Sequence, residues 1–282
     1  MKQLVVIGNP IEHSLSPIMH NAALKAMGLD QEYSYDKMLL HTSNLKKFIV
    51  SLESGLITGA NVTIPFKTTI IPLLTNLSKE AAAIGAVNTI CRKGTKLIGS
   101  NTDVHGFLNV LHENNVEIED SHVLIIGAGG AARSVIYGLV SHGASQFKIY
   151  NRSKLRTEEL VVSINQYSDV NVETYQFPSY GGSMDDIDLL VNCTPVGMSG
   201  HSVGRSPLNR TNISKNTTVI DLVYNPARTK LIEDAGKMGC KIIDGIGMLV
   251  HQGALSFESW IGFKPPQEVM KNAVLQFLEG SA

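Results

Sequence analysis

Almost midway along the 282-residue chain stands Val123-Leu-Ile-Ile-Gly127-Ala-Gly129-Gly130-Ala-Ala132-Arg133. A short apolar run rich in β-branched residues stops at Gly127, and apolar residues at helical spacing follow at once, which predicts a strand, a tight turn and a helix. Gly127 can take the positive φ of the turn, and Gly129 lets the backbone approach a pyrophosphate. Ala132 takes the place of the third small residue of the dinucleotide fingerprint. The stretch therefore predicts a nucleotide site, with an ordinary tight turn as the alternative.

Basic residues follow the next predicted strand, where an NAD-binding fold normally has an acidic residue on the ribose 2′-hydroxyl. This chain has Arg152, Lys154 and Arg156 there, just after Asn151. A guanidinium group suits a 2′-phosphate, and cations at a helix start are disfavoured unless an anion lies nearby. The pattern favours NADP over NAD, while a solvated basic helix start is the alternative.

Composition excludes several classes of protein. With 43% hydrophobic residues, 17% charged residues and a net charge of −1, the chain resembles neither a disordered tail nor a polyanion-binding protein, so we expect no nucleic-acid partner. Cys91, Cys193 and Cys240 are widely spaced, which favours reduced thiols in the cytoplasm over a disulfide framework. No apolar run is long enough for a signal peptide core or a membrane span. We therefore expect a soluble cytoplasmic protein of one or two domains.

Strand and helix patterns alternate along the chain, which predicts an α/β fold with a doubly wound sheet in its second half. Strands are expected at 2–8, 32–38, within 56–67, and at 147–150, 172–175, 188–191, 218–220 and 241–243. A hairpin is expected at Lys93-Gly94, and helices should fill the chain after Gly245, with a break at Pro265-Pro266. Ser16 is predicted to cap a helix that has Pro17 at its first position, and Ser78 to cap a later helix.

Lys67 and Asp103 are the first candidates for chemistry. Lys67 stands at a predicted helix start beside Pro65 and Phe66, which would suit a proton donor or acceptor. If Asp103 lies beside it, the carboxylate would hold the ammonium group and accept a substrate hydroxyl. A solvated surface lysine and an ordinary helix cap are the alternatives for the two residues.

Further polar residues accompany this pair in an otherwise apolar first domain: Ser14, Ser16, Asn61, Thr63, Asn88 and Gln252. Each has a cap or turn explanation of its own. Together they offer hydroxyl and amide groups suited to a small polyhydroxylated acid. His13 and His251 do not have metal-ligand spacing, so we expect no metal.

The chain closely resembles the shikimate dehydrogenase family along nearly its whole length. The motifs are Gly8-Asn-Pro-Ile-Glu-His-Ser14-Leu-Ser16-Pro-Ile-Met-His-Asn21, Gly59-Ala-Asn61-Val-Thr63-Ile-Pro-Phe-Lys67, Gly85-Ala-Val-Asn88-Thr, Asn101-Thr-Asp103, Gly127-Ala-Gly-Gly-Ala-Ala-Arg133, Asn151-Arg152-Ser153, Asn192-Cys-Thr194-Pro-Val-Gly-Met198, Asp221-Leu-Val-Tyr224-Asn-Pro and Gly245-Ile-Gly-Met248-Leu-Val-His-Gln252-Gly-Ala. Several ordered motifs in one chain make the resemblance specific.

The resemblance implies NADPH-dependent, reversible reduction of 3-dehydroshikimate to shikimate, in the shikimate pathway of aromatic amino acid biosynthesis. It implies that Lys67 and Asp103 are the catalytic pair. The residues it implies for the substrate are Ser14, Ser16 and Tyr224 on the carboxylate, and Thr63, Asn88, Asp103 and Gln252 on the ring hydroxyls. Those it implies for NADP are Gly127, Ala128, Gly129, Gly130, Ala131 and Ala132 on the pyrophosphate, Asn151, Arg152, Ser153 and Arg156 around the 2′-phosphate, and Thr194, Leu222, Gly245 and Met248 beside the nicotinamide.

The resemblance also implies two domains: a substrate-binding and catalytic domain at 1–104 plus 246–282, and a Rossmann-type NADP-binding domain at 105–245. We expect a monomer or homodimer that acts on a small molecule. Ser153 and Cys193 depart from the Thr and Ala that are usual in the family, and neither change should matter much. Two alternatives stay open: a quinate/shikimate dehydrogenase of broader specificity, and a dinucleotide-binding sensor without turnover.

Overall fold

The computed structural model describes residues 1–178, 185–208 and 213–280. The chain forms two compact units, one of Met1–Gly106 with Leu249–Ala282 and the other of Phe107–Met248. Both units are α/β, as predicted. The assignment of substrate to 1–104 plus 246–282 and of NADP to 105–245 stays a prediction.

The first unit has a mixed sheet. Its strands are β1 (Lys2–Gly8), β2 (Tyr33–Leu39), β3 (Ile57–Val62), β4 (Asn76–Leu77), β5 (Thr89–Lys93) and β6 (Lys96–Ser100), in the order β2-β1-β3-β5-β6-β4. Strand β1 pairs in parallel with β2 and β3, because helices cross between these strands, whereas β5 is antiparallel to β3 and β6. The hairpin between β5 and β6 is confirmed, and Gly94 takes a φ of +62° in its turn.

Helices surround this sheet, and two of the predicted caps have different outcomes. The helices are α1 (Ser16–Ala26), α2 (Leu45–Glu53), α3 (Phe66–Thr69), α4 (Lys79–Ile84) and the start of α5 (Asp103–Glu113). Ser78 caps α4 by accepting from the Ala81 N–H. The predicted Ser16 cap is wrong: α1 begins at Ser16 itself and has no side-chain cap, because the Ser16 hydroxyl lies within the first turn rather than ahead of it.

The second unit has a parallel sheet, as the alternating pattern predicts. Its strands are β7 (His122–Ile126), β8 (Gln146–Asn151), β9 (Asn171–Gln176), β10 (Leu189–Asn192), β11 (Thr218–Asp221) and β12 (Lys241–Ile243), and its helices include α6 (Gly130–Val140), α7 (Lys154–Ile164) and α8 (Lys230–Lys237). The order β12-β11-β10-β7-β8-β9 is doubly wound, and the winding reverses between β7 and β10. Ligands of such sheets bind at the carboxyl ends of the strands at this reversal.

The chain ends in two helices, α9 (Ile246–Ile261) and α10 (Gln267–Gly280), with the break at Pro265-Pro266 as predicted. Helices α5 and α9 each contain one of the two boundaries between the units. Across the described ranges no helix combines the length and apolarity that a membrane crossing requires. Cys91, Cys193 and Cys240 are free thiols.

A histidine lies in the core of the first unit. His20 of α1 is fully buried and stacks on Tyr35, with ring centroids 4.1 Å apart and planes 11° apart. Phe257 of α9 lies parallel to the same imidazole at 6.1 Å. In the described part of the chain neither ring nitrogen of His20 has a hydrogen-bond partner. Burial therefore lowers the pKa of His20 to about 3.

His20→Phe should reduce the acid sensitivity of the fold. The unfolded chain binds a proton on His20 below pH 6.5, and the folded chain refuses it down to about pH 3, so stability is lost as the pH falls through this window. At pH 5.0 the loss from this residue is about 2 kcal/mol relative to pH 7.5. Urea unfolding at both pH values should show a correspondingly smaller loss in the variant.

The matched control is His112→Gln, at an exposed position of α5, which should lose as much stability as the unchanged chain. Equal losses in His20→Phe and the unchanged chain would show that His20 titrates normally in the folded state.

Candidate active site and nucleotide site

The structure brings Lys67 and Asp103 together in the first unit. Buried Phe66 anchors the start of α3, and Lys67 follows it with its carbonyl accepting from the Val87 N–H at 2.8 Å. The Lys67 Nζ lies 2.5 Å from Asp103 Oδ2, and the two side chains are only 14% and 6% exposed. Lys67 is therefore not a solvated surface lysine. It forms an ion pair with the buried carboxylate of Asp103.

The side chain of Asn88 meets the second oxygen of this carboxylate. Its Oδ1 accepts from the Thr102 N–H at 2.8 Å, and because a backbone N–H can only donate, the amide orientation is fixed. The Nδ2 group then faces Asp103 Oδ1 at 2.8 Å. Both Asp103 oxygens accept from donors, one from Asn88 and one from Lys67.

Gln252 of α9 joins the same cluster, although it lies far away in the sequence. Its Oε1 accepts from Asn88 Nδ2 at 3.2 Å, and its Nε2 donates to the Leu249 carbonyl at 2.8 Å. The structure therefore unites four predicted site residues, Lys67, Asn88, Asp103 and Gln252. Thr102, which orients Asn88, was missed by sequence reasoning, although it lies inside a quoted motif.

Ser14, Ser16 and Thr63, which are also predicted substrate residues, lie outside the hydrogen-bonded cluster around Lys67. Ser16 is buried at the start of α1, and its N–H donates to Ser14 Oγ at 3.4 Å. Thr63 follows β3, where its N–H donates to the Ile7 carbonyl at 3.0 Å. Among the hydrogen bonds of the described residues, none joins these three to the Lys67 cluster. Tyr224 is half-buried after β11 and belongs to the second unit.

In the second unit, the turn between β7 and α6 fits a pyrophosphate. Gly127 has a φ of +108°, and a Cβ at this position would lie 2.9 Å from Thr194 Cγ2. Gly129 is extended, and a Cβ there would meet no atom within 4 Å. Helix α6 begins at Gly130 without a side-chain cap, so its first N–H groups are available to an anion. Ala128 lies in the same turn, and Ala131 and Ala132 lie in the first turn of α6.

The predicted 2′-phosphate residues stand at the carboxyl end of β8. Ser153 caps α7 by accepting from the Arg156 N–H, and Asn151 Nδ2 donates to the Ser153 carbonyl at 3.0 Å. Arg152 and Arg156 are exposed, and in the described part of the chain neither guanidinium forms an ion pair. The cations are thus free to receive a dianion, while a solvated helix start stays the alternative.

A buried carboxylate organises the other side of this unit. Asp221 ends β11 and accepts from Asn192 Nδ2 at 2.8 Å, from the Val223 N–H at 3.0 Å and from Thr229 Oγ1 at 2.6 Å. Burial outweighs these bonds and raises the pKa of Asp221 to about 6. Asn192 Oδ1 in turn accepts from the Thr194 hydroxyl at 2.7 Å. Asp221 therefore holds the Thr194 loop, a role that sequence reasoning missed because the partners are 29 residues apart.

Leu222, Gly245 and Met248 complete the predicted nicotinamide side. A Cβ on Gly245 would lie 2.5 Å from the Leu222 carbonyl oxygen, so only glycine allows the two backbones to approach. Met248 is 8% exposed in the core of the unit. Within the described ranges, no group of three or more histidine, cysteine or acidic residues is placed to hold a metal.

Family models cover most of the chain. The shikimate dehydrogenase substrate binding domain matches residues 6–90, the shikimate/quinate 5-dehydrogenase model matches 110–226, and the shikimate 5′-dehydrogenase C-terminal domain matches 245–275. A shikimate dehydrogenase (NADP⁺) of Methanosphaera stadtmanae is 39% identical over 276 residues, which is 98% of this chain and 96% of that protein. The chain belongs to the shikimate dehydrogenase family.

Solved structures of the shikimate dehydrogenase family have the same fold. A shikimate dehydrogenase crystallised in complex with NADP⁺ matches with a TM-score of 0.89 at 37% identity, covering 99% of this chain and 96% of that one. The shikimate 5-dehydrogenase of Listeria monocytogenes, in complex with shikimate and NAD, matches with a TM-score of 0.85 at 32% identity and 96% coverage of both chains.

Gly129→Ala should weaken NADP binding and leave the fold nearly intact. The backbone conformation at Gly129 suits any residue and a Cβ meets no protein atom, so the free energy of unfolding should change by about 1 kcal/mol or less. A pyrophosphate at this turn would collide with the added methyl group, and we expect the Kd for NADPH in a fluorescence titration to rise at least tenfold.

Gly236→Ala is the matched control, because a Cβ there meets only Ile242 Cδ1 at 3.8 Å, and its Kd should be unchanged. An unchanged Kd in Gly129→Ala would move the pyrophosphate away from this turn.

Proposed function

We propose that the chain is an NADP-dependent shikimate dehydrogenase, which reduces 3-dehydroshikimate reversibly to shikimate in the shikimate pathway of aromatic amino acid biosynthesis. The observation that carries the proposal is the Lys67, Asp103 and Asn88 cluster in a chain of this family. A half-buried ammonium beside a carboxylate can transfer a proton to and from a substrate oxygen. Amide groups from Asn88 and Gln252 add the hydrogen-bonding capacity that a polyhydroxylated ring requires.

Lys67 is the proton donor of the reduction. NADPH, when bound, supplies the hydride for the substrate carbonyl carbon. Lys67, as ammonium, stabilises and protonates the developing alkoxide, and takes the proton back in the reverse direction. Asp103 has no proton to give, because both of its oxygens accept from Lys67 and Asn88. Its roles are to orient the Lys67 ammonium and to accept a substrate hydroxyl.

The remaining substrate contacts follow the family pattern. Ser14, Ser16 and Tyr224 bind the carboxylate, and Thr63, Asn88, Asp103 and Gln252 bind the ring hydroxyls. The domain of residues 1–104 plus 246–282 binds the substrate, and the domain of residues 105–245 binds NADP. The substrate is a small molecule, nucleic acid is no partner, and the enzyme is a cytoplasmic monomer or homodimer.

The NADP site uses the residues already placed at the carboxyl ends of the parallel strands. Gly127, Ala128, Gly129, Gly130 and Ala131 receive the pyrophosphate at the start of α6. Asn151, Arg152, Ser153 and Arg156 receive the 2′-phosphate. Thr194, Leu222, Gly245 and Met248 line the nicotinamide side. The open space at Gly129 and the uncapped N–H groups of α6 support this assignment.

Lys67→Ala should lower kcat by about 10²- to 10⁴-fold, with a smaller effect on the KM for shikimate, because proton transfer is lost while most substrate contacts stay. The assay follows NADPH absorbance at 340 nm with shikimate and NADP. The control is Lys47→Ala, at an exposed position of α2, and it should retain full activity. An unchanged kcat in folded Lys67→Ala protein would remove Lys67 from the mechanism.

Replacing both Arg152 and Arg156 by Gln should raise the KM for NADP at least tenfold and leave the slower rate with NAD unchanged, because only NADP has the 2′-phosphate. Arg228→Gln, at another exposed arginine of the same unit, is the control. Since the Listeria relative was crystallised with NAD, the unchanged chain is assayed with both coenzymes. Comparable rates with NAD would contradict the NADP assignment.

The same assay separates the two rival functions. Comparable rates on quinate and shikimate would identify an enzyme of broader specificity, in keeping with the shikimate/quinate family model. Binding of NADPH without turnover of either acid would identify a sensor. The intact Lys67 and Asp103 pair argues against the sensor, because a protein without turnover has no use for a buried proton donor.

A further inference from the structure

A second layer of polar side chains lies behind the Asn88 and Gln252 contact. Tyr35 of β2, Asn61 of β3 and Ser256 of α9 are 0%, 6% and 0% exposed. The Tyr35 hydroxyl lies 2.6 Å from Asn61 Oδ1, and Asn61 Nδ2 lies 3.0 Å from Ser256 Oγ. These three residues, the Tyr35-Asn61-Ser256 chain, are buried polar groups that the mechanism above does not use.

Chemistry fixes the direction of the hydrogen bonds that Asn61 makes with Tyr35 and with Ser256. Asn61 Nδ2 lies 3.1 Å from the Asn88 backbone carbonyl, which can only accept. The other end of the Asn61 amide is therefore the oxygen, and the Tyr35 hydroxyl must donate to it. Ser256 Oγ accepts from Asn61 Nδ2 and can donate to the Gln252 backbone carbonyl at 3.0 Å. It also lies 2.7 Å from Thr89 Oγ1 and 3.2 Å from Thr102 Oγ1, where either hydroxyl can be the donor.

The Tyr35-Asn61-Ser256 chain forms hydrogen bonds with the backbone carbonyls of both Asn88 and Gln252. Asn61 bonds the Asn88 carbonyl directly, and Ser256 bonds the Gln252 carbonyl one helical turn away. The side chains held in this way meet at 3.2 Å. Asn88, which immediately precedes β5, and Gln252 of α9 are far apart in sequence, and these bonds hold the two residues assigned to the ring hydroxyls next to each other.

We propose that Tyr35, Asn61 and Ser256 are positioning residues, which hold the Asn88 amide and the Gln252 amide in the arrangement that receives the substrate. The inference rests on the proposed function, because its test measures the KM for shikimate, the proposed substrate. A merely structural role would lower the folded fraction and hence the apparent kcat without changing KM. A positioning role raises the KM for shikimate and leaves NADP binding alone, because the predicted NADP residues belong to the other unit.

Two single-hydroxyl deletions test the proposal, Tyr35→Phe and Ser256→Ala. Each should raise the KM for shikimate about three- to tenfold, the cost of one buried hydrogen bond, with kcat within about threefold and the Kd for NADPH unchanged. The controls lose a hydroxyl from the same elements at more exposed positions: Tyr33→Phe on β2 and Ser259→Ala on α9. Both controls should keep the original KM.

A double-mutant cycle tests whether Ser256 acts through Gln252. In a Gln252→Ala background, Ser256→Ala should raise the KM no further. An equal rise in both backgrounds, or an unchanged KM in Tyr35→Phe and Ser256→Ala, overturns the positioning proposal and leaves the proposed function standing. Absence of shikimate turnover by the unchanged chain overturns the proposed function itself, and the positioning role with it.

Discussion

The ionised carboxylate of Asp103 is the constraint on which the first unit depends. A charge that is 4% exposed is costly unless each of its oxygens has a donor, and Lys67 and Asn88 supply one each. Asn88 can do so only with its amide turned one way, and the Thr102 N–H enforces that turn. Hydrogen bonds continue from Asn88 to Asn61, and from Asn61 to Tyr35 and Ser256. A partly satisfied network would be worse than an apolar core, which is why so many elements converge here.

In the second unit, the predicted nucleotide site depends on backbone conformation rather than on a buried ion pair. Its parallel sheet places the ends of β7 and β10 side by side, and the glycines of the β7–α6 turn follow β7 at this edge. Protein atoms lie close to where a Cβ would be at Gly127 and Gly245, whereas a Cβ added at Gly129 would meet no atom within 4 Å. Asp221 accepts hydrogen bonds from Asn192, the Val223 N–H and Thr229, and so holds the loops that contain Val223 and Thr229. The unit therefore has uncapped N–H groups at the start of α6, next to a glycine where the protein leaves room.

The sequence predicts most of the fold, because its signals are local. Apolar runs, glycines and prolines predict both C-terminal helices and, apart from the two-residue β4, the strands of the described chain within a few residues. The alternation of strands and helices predicts the parallel sheet. The Ser16 cap fails by one residue, because the same side chain can precede or begin a helix. For the site, spacing identifies Lys67 and Asp103 as candidates but cannot show their contact. Sequence reasoning could not predict the hydrogen bond between Asn61 and Ser256, because the two residues are 195 positions apart.

The division of the chain into units also has a consequence for biosynthesis. Residues 107–248 form an uninterrupted unit, whereas the unit around Lys67 needs residues from both sides of it. Domains fold as units during synthesis, so the inserted unit can fold while the other still lacks α9 and α10. Until those helices leave the ribosome, Asn61 and Asn88 have neither Ser256 nor Gln252 as a partner. The unit that contains Lys67, although it is begun first, is therefore finished last.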